Sequence, residues 1–219
     1  MKRKNKIKTY YINKKFENIY LIIIIIISSF YIYLSYENKY INRELDLNNE
    51  ITMIINGTGE HYIVSNFMIP SEIYINGEKQ NYTGRTVNLV EEENIIILKW
   101  YSPITECDNL FGNLKNITKI DLSKFDSSSV TNLDGMFLGC SKLTTIIFDN
   151  FDTSLVEDMS YMFYDCSSLT SLNLTMFNTS KITNMDFMFQ YCSSLTTLDL
   201  SNFRTSNVID MGGMFFDLL

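Results

Sequence analysis

From residue 104 onward, apolar residues recur at a fixed step of 26. Met136, Met162, Met188 and Met214 are in register, as are Phe137, Phe163, Phe189 and Phe215, and Cys140, Cys166 and Cys192. A period of about 20–50 residues marks a stacked array. Within one copy the pattern has two parts. Met159, Met162, Phe163 and Cys166 fall at i, i+3, i+4 and i+7, which predicts one face of a short helix. Asp158 stands where an N-cap belongs, and Asn132, Asn184 and Asp210 fill the same slot. Leu169, Leu172 and Leu174 follow, and their final alternation predicts a strand with one buried side. One copy has no core of its own, so copies must stack to bury the apolar face. The expected fold is an α/β solenoid of short parallel strands and short helices over residues 104–219.

The first copy departs from the others. Cys107, Leu110, Phe111 and Leu114 keep the spacing, but Leu114 takes the Cys column, as Leu218 does in the last copy. The sequence closes on Phe215, Phe216, Leu218 and Leu219 without a polar cap. Three readings stay open there: a frayed last turn, end-to-end pairing, or a chain that continues.

The run M-F-x-x-C-x-x-L-x-x-L-x-L-x-x-F-x-T-S-x-V-x-x-M resembles the BspA-type leucine-rich repeats, the 26-residue surface-protein repeat. The resemblance covers about half of the chain. It implies a curved solenoid of parallel strands and an attachment or recognition role at the cell surface, without catalysis. The motif consists of core positions, so no ligand residues carry over.

Residues 51–103 have strand character without the 26-residue step. Short apolar runs alternate with turn signals, among them Asn76-Gly77, the strongest short hairpin signal. We read a small β module of about five strands that caps the first copy. A separate ligand-binding domain is the alternative, and Pro103 marks the border with the repeats.

Charge changes the picture at the start of the chain. Residues 1–17 form a basic tail with Lys2, Arg3, Lys4, Lys6, Lys8, Lys14 and Lys15. Residues 18–36 carry no charge and include an unbroken isoleucine run at 22–27. At ~1.5 Å per residue such a helix would approach the ~30 Å of a bilayer core. This predicts a transmembrane signal anchor, with the tail cytoplasmic and the remainder outside as a single-pass surface protein. Cleavage and secretion is the alternative. Residues 37–50 read as a linker. Outside the cell, Asn56, Asn81, Asn116, Asn173 and Asn178 become candidate N-glycosylation sites. The net charge of −7 makes nucleic acid a poor partner.

Candidate chemistry is sparse. His61 is the single histidine and has no sequence partner, and the phosphate-loop, zinc-protease and C-x-x-C signatures do not occur. We therefore expect no catalytic, cofactor or metal site and no enzyme activity. Cys140, Cys166 and Cys192 read as buried thiols on the apolar face. Inter-repeat disulfides are the alternative, because a strand spacing of ~4.8 Å lies within disulfide reach.

The outward strand positions remain. Lys119, Thr145, Ser171 and Thr197 form one column, and Asp121, Asn173 and Asp199 belong to the next. Their short polar side chains suit an extracellular protein or a glycan. The expected function is non-catalytic adhesion or recognition at the cell surface. A structural surface-coat component without a specific ligand is the alternative.

Overall fold

The computed structural model describes residues 49–218. Ten strands run in chain order: β1 Asn49–Asn56, β2 Gly59–Tyr62, β3 Glu72–Ile75, β4 Glu78–Lys79, β5 Thr86–Leu89, β6 Glu93–Trp100, β7 Ile117–Lys124, β8 Thr145–Ile147, β9 Ser171–Leu172 and β10 Thr197–Leu198. A six-stranded sheet has the order β4-β3-β6-β1-β7-β8. Its pairs are antiparallel up to β1–β7, and only β7–β8 is parallel. Two further pairs, parallel β9–β10 and antiparallel β2–β5, complete the strands.

The expected α/β solenoid with short helices is therefore corrected. No helix occurs among the described residues, and the sheets are mixed rather than parallel throughout. The expected transmembrane anchor over 18–36 and the basic tail over 1–17 lie outside the described residues. Among those described, no helix is long and apolar enough to cross a membrane. The linker expected over 37–50 also ends differently, because β1 begins at Asn49.

The reason for the missing helices lies in the backbone of each M-F-x-x-C segment. Asn109 and Asn113, Gly135 and Gly139, Tyr161 and Asp165, Phe187 and Tyr191, and Gly213 and Asp217 all have positive φ. A left-handed residue at every fourth position breaks the run of right-handed dihedrals that a helix needs. Alternate amides then leave the segment. The N–H groups of Leu133, Gly135 and Phe137 donate to the carbonyls of Asp158, Ser160 and Met162 in the following copy, at 2.9, 2.8 and 3.0 Å. Those between them close local turns: Met136 donates to Leu133 at 3.1 Å and Leu138 to Gly135 at 2.9 Å. In a helix every such group would bond four residues back within its own segment. Here half of them hold neighbouring copies together.

The side-chain pattern survives this change of backbone. Met159, Met162, Phe163 and Cys166 are all fully buried. Phe111, Phe137, Phe163, Phe189 and Phe215 stack in sequence, with ring centroids 5.8, 5.7, 5.6 and 6.0 Å apart. From the strand side, Phe148 meets Phe137 and Phe163 edge-on at 6.2 Å. A core thus fills the space between a layer of turns and a layer of strands.

Residues 49–100 close one side of this core. β1 pairs along β7, so the first repeat strand has a backbone partner on both sides. In the turn layer, the N–H of Ser65 donates to the carbonyl of Leu110 at 2.8 Å. The side chains of Ser65 and Asn66 donate to the carbonyls of Gly112 and Asp108. The first copy's outward acceptors are satisfied in this way, as buried backbone groups must be.

Candidate functional site

Register places the sequence-predicted surface on the open faces of two sheets that follow one another in the repeats, at β7–β8 and at β9–β10. Lys119 faces Thr145 and Asp121 faces Ile147 across β7–β8, and Ser171 faces Thr197 across β9–β10. Thr145, Ser171, Asn173, Thr197 and Asp199 are exposed, while Lys119 and Asp121 are half-buried. The side chains of Lys119, Thr145, Ser171 and Thr197 make no hydrogen bond among the described residues. The second column is different. Asp121 accepts from the Ser123 N–H, Asn173 from the Thr175 N–H and Asp199 from the Ser201 N–H, at 2.9, 3.2 and 2.9 Å. These three carbonyl or carboxylate groups fold the chain back after each strand. The bond from Ser201 holds the Asp199 carboxyl below the usual range. Asn173 lies one residue past β9 and not within it, as the sequence pattern suggested.

The same face continues over the preceding strands, which sequence reasoning did not connect to it. Thr52 on β1 faces Asp121, and Ile97 on β6 faces Thr52. At one end of the face, Glu50 bridges Lys99 at 3.1 Å and Lys124 at 2.9 Å. Burial pushes the Glu50 carboxyl up, but hydrogen bonds from Lys124 and Lys99 outweigh it and leave it lowered. Glu72 on β3 continues the row. Hydrogen bonds from Lys79, Tyr101 and Tyr74 take its carboxyl down to about 2. Long-range antiparallel pairing creates this continuity, and no local motif announces it. A shallow cleft of about 210 Å³ lies beside the face, bounded by Ile147, Asp149, Asn173 and Met176.

His61 lies on β2, its Nε2 3.1 Å from the Thr58 carbonyl and its Nδ1 3.3 Å from the Asn116 amide. It borders a cleft of about 250 Å³ with Glu60, Tyr62 and Lys115. Among the described residues no three His, Cys, Asp or Glu side chains converge to hold a metal ion. All four cysteines are buried free thiols. Burial pushes the Cys140 and Cys192 thiols up to about 12, and Cys166 and Cys107 rise as well.

The candidate glycosylation positions differ in access. Asn56, Asn81, Asn173 and Asn178 are exposed. Asn116 is half-buried, and its amide engages His61 while its oxygen accepts from Lys142 at 3.0 Å.

A surface that the sequence reading missed lies on the outer side of the turn layer. Tyr161 stacks on Phe187 at 5.1 Å, Tyr164 meets Tyr191 edge-on at 5.3 Å, and Tyr161 lies 5.7 Å from Tyr164. The signal was present in the columns. Asn109, Gly135, Tyr161, Phe187 and Gly213 share one register, and three of them are types that tolerate positive φ.

The family described as Mycoplasma protein of unknown function, DUF285, matches residues 105–218. No curated protein and no solved structure matches the chain.

Proposed function

Because the chain belongs to the DUF285 family, we propose that it is a recognition protein of the cell surface. It binds an extracellular protein or glycan, without catalysis, through the open sheet face. The observation that carries this reading is the alignment of Lys119, Thr145, Ser171 and Thr197. Lys119 pairs with Thr145 on one pair of strands and Ser171 with Thr197 on the next, and none of the four side chains makes a hydrogen bond among the described residues. Hydroxyl and ammonium groups held at strand spacing can satisfy a partner's polar groups without rearrangement, which lowers the ordering cost of binding. The likeness to BspA-type surface repeats supports the same role. The basic residues 1–17 followed by the uncharged residues 18–36 support a surface location.

The test is a binding screen of the full chain against glycan arrays and extracellular protein panels. It is repeated with Thr145→Lys, Ser171→Lys and Thr197→Lys combined. The expected result is a partner whose affinity falls by about tenfold or more in the triple variant, since rim charge and bulk oppose docking. A partner bound equally by both proteins overturns the assignment of this face. Ordered self-assembly with no partner favours a coat component in its place.

A further inference from the structure

The five turn segments, residues 106–113, 132–139, 158–165, 184–191 and 210–217, contain eight carboxylates and no lysine or arginine. The ion pairs among the described residues all lie elsewhere, at Glu50 and Glu72. The basic residues of the repeats, such as Lys119, Lys124 and Lys142, belong to the strands and the loops before them. Among the described residues these turn segments therefore carry negative charge only. In their middle lies the ring cluster of Tyr161, Tyr164, Phe187 and Tyr191. Tyr191 is exposed and the other three are half-buried.

Folding does not require rings at these positions. Tyr161, Phe187 and Tyr191 have φ of 54°, 55° and 60°, where bulky side chains are strained. Other copies place Asn109, Gly135 and Gly213, or Asn113 and Gly139, at the same register. An aromatic residue held against backbone preference points to a use beyond packing. The neighbouring carboxylates are also crowded. Burial raises the Asp134 carboxyl, with a hydrogen bond from Ser160 opposing and Asp158 and Asp108 adding to the rise. Burial and Asp210 raise that of Asp186.

We propose that this side of the turn layer docks a lysine- or arginine-rich peptide segment of a partner protein on Tyr161, Tyr164, Phe187 and Tyr191. Aromatic faces attract ammonium and guanidinium groups directly. Asp134, Asp165 and Asp186 supply the countercharge that guanidinium groups pair with. A metal ion fits less well, because no three acidic side chains converge among the described residues. This surface is separate from the open sheet face and stands independently of the role proposed for it.

The experiment uses the full chain and a fluorescein-labelled peptide of alternating arginine and glycine, read by anisotropy at low salt. Tyr161→Gly combined with Tyr191→Gly installs residues that suit the local φ, so the fold is retained, as a denaturant midpoint will verify. Tyr164→Leu offers a second variant that keeps an apolar side chain but removes the π face. Both variants should bind about tenfold more weakly. Asp149→Asn with Asp152→Asn, which lowers the charge on the strand side, should leave affinity unchanged. Equal binding by the tyrosine variants and the wild type would mean diffuse charge attraction only, and the proposal falls. Binding of a neutral oligosaccharide in preference to the peptide would make the rings a sugar platform and also overturn it.

Discussion

The thiol of Cys166 donates to the carbonyl oxygen of Phe137 at 3.2 Å, 29 residues earlier and one copy back. Cys140 does the same to Phe111 at 3.1 Å, and Cys192 to Phe163 at 3.0 Å. The cysteine column thus combines a small apolar volume with a weak donor aimed at a buried acceptor. In the first copy Leu114 takes the column, where the preceding residues belong to the cap and present no equivalent phenylalanine carbonyl.

Cys166→Ala should cost about 1–2 kcal/mol, from a small cavity and a lost donor. Without reductant, thiol reagents should label the folded protein slowly and the denatured protein fully. The cysteine column also predicts an alkaline limit. Burial raises the folded Cys140 and Cys192 to about 12 against an ordinary 9.0, so the unfolded chain releases protons first. Their contribution is full below pH 9 and is lost as pH rises from there towards 12. Replacing Cys140, Cys166 and Cys192 by Ala should flatten that decline, measured as the denaturant midpoint against pH.

Phe163→Ala removes a ring that stacks on Phe137 at 5.7 Å and on Phe189 at 5.6 Å. The expected loss is about 3–5 kcal/mol, while Thr145→Ala on the open face should stay within about 0.5 kcal/mol. Chemical denaturation of the two variants measures both, and similar midpoints would refute the stacked core.

Gly139→Ala tests the left-handed register. Gly139 has φ of 69°, and an added Cβ would meet the Asn113 Oδ1 at 2.6 Å. A loss of about 1–3 kcal/mol should follow from strain and crowding. Gly84→Ala, where a Cβ meets nothing within 4 Å, should be near neutral. Thermal melts of the pair decide it.

Glu50 should make the protein sensitive to acid. Its carboxyl is lowered from 4.5, so its pairing with Lys99 and Lys124 is intact above that pH and is lost as pH falls through the folded value. Because Lys124 is largely exposed, the contribution should be about 1 kcal/mol or less. Glu50→Gln should therefore reduce stability at neutral pH and narrow its difference from wild type in acid, as urea midpoints will report.

The sequence made the buried face legible and hid the backbone that carries it. Met159, Met162, Phe163 and Cys166 have helical spacing because a chain of turns also returns every third or fourth side chain to one side. What separates turns from helix is the destination of the amides, and hydropathy carries no information about that. The recurrence of Asn or Gly four residues apart, as at Asn109 and Asn113 or Gly135 and Gly139, was the available sign. The Asn76-Gly77 hairpin was readable, since both residues take positive φ between β3 and β4. The pairing of β1 with both β6 and β7 was not, because it joins strands far apart in sequence. The open face was visible as columns but not as a surface reaching back to Thr52 and Ile97.

The amide ladder of the turn layer has a direction. Each copy gives hydrogens to the one after it and receives them from the one before, so the peptide dipoles of successive copies point the same way. A copy turned end for end would set donor against donor and could not be accommodated. A copy removed or added whole, in contrast, meets the same partners it left. Deleting 26 residues rejoins Leu133-like amides to Asp158-like carbonyls, whereas deleting 25 or 27 leaves one residue too many or too few at the join for the connecting loop to absorb. Whole steps are therefore the changes in length that leave the ladder undisturbed. A gene that loses or gains one such step changes the reach of the protein without rewriting its interior.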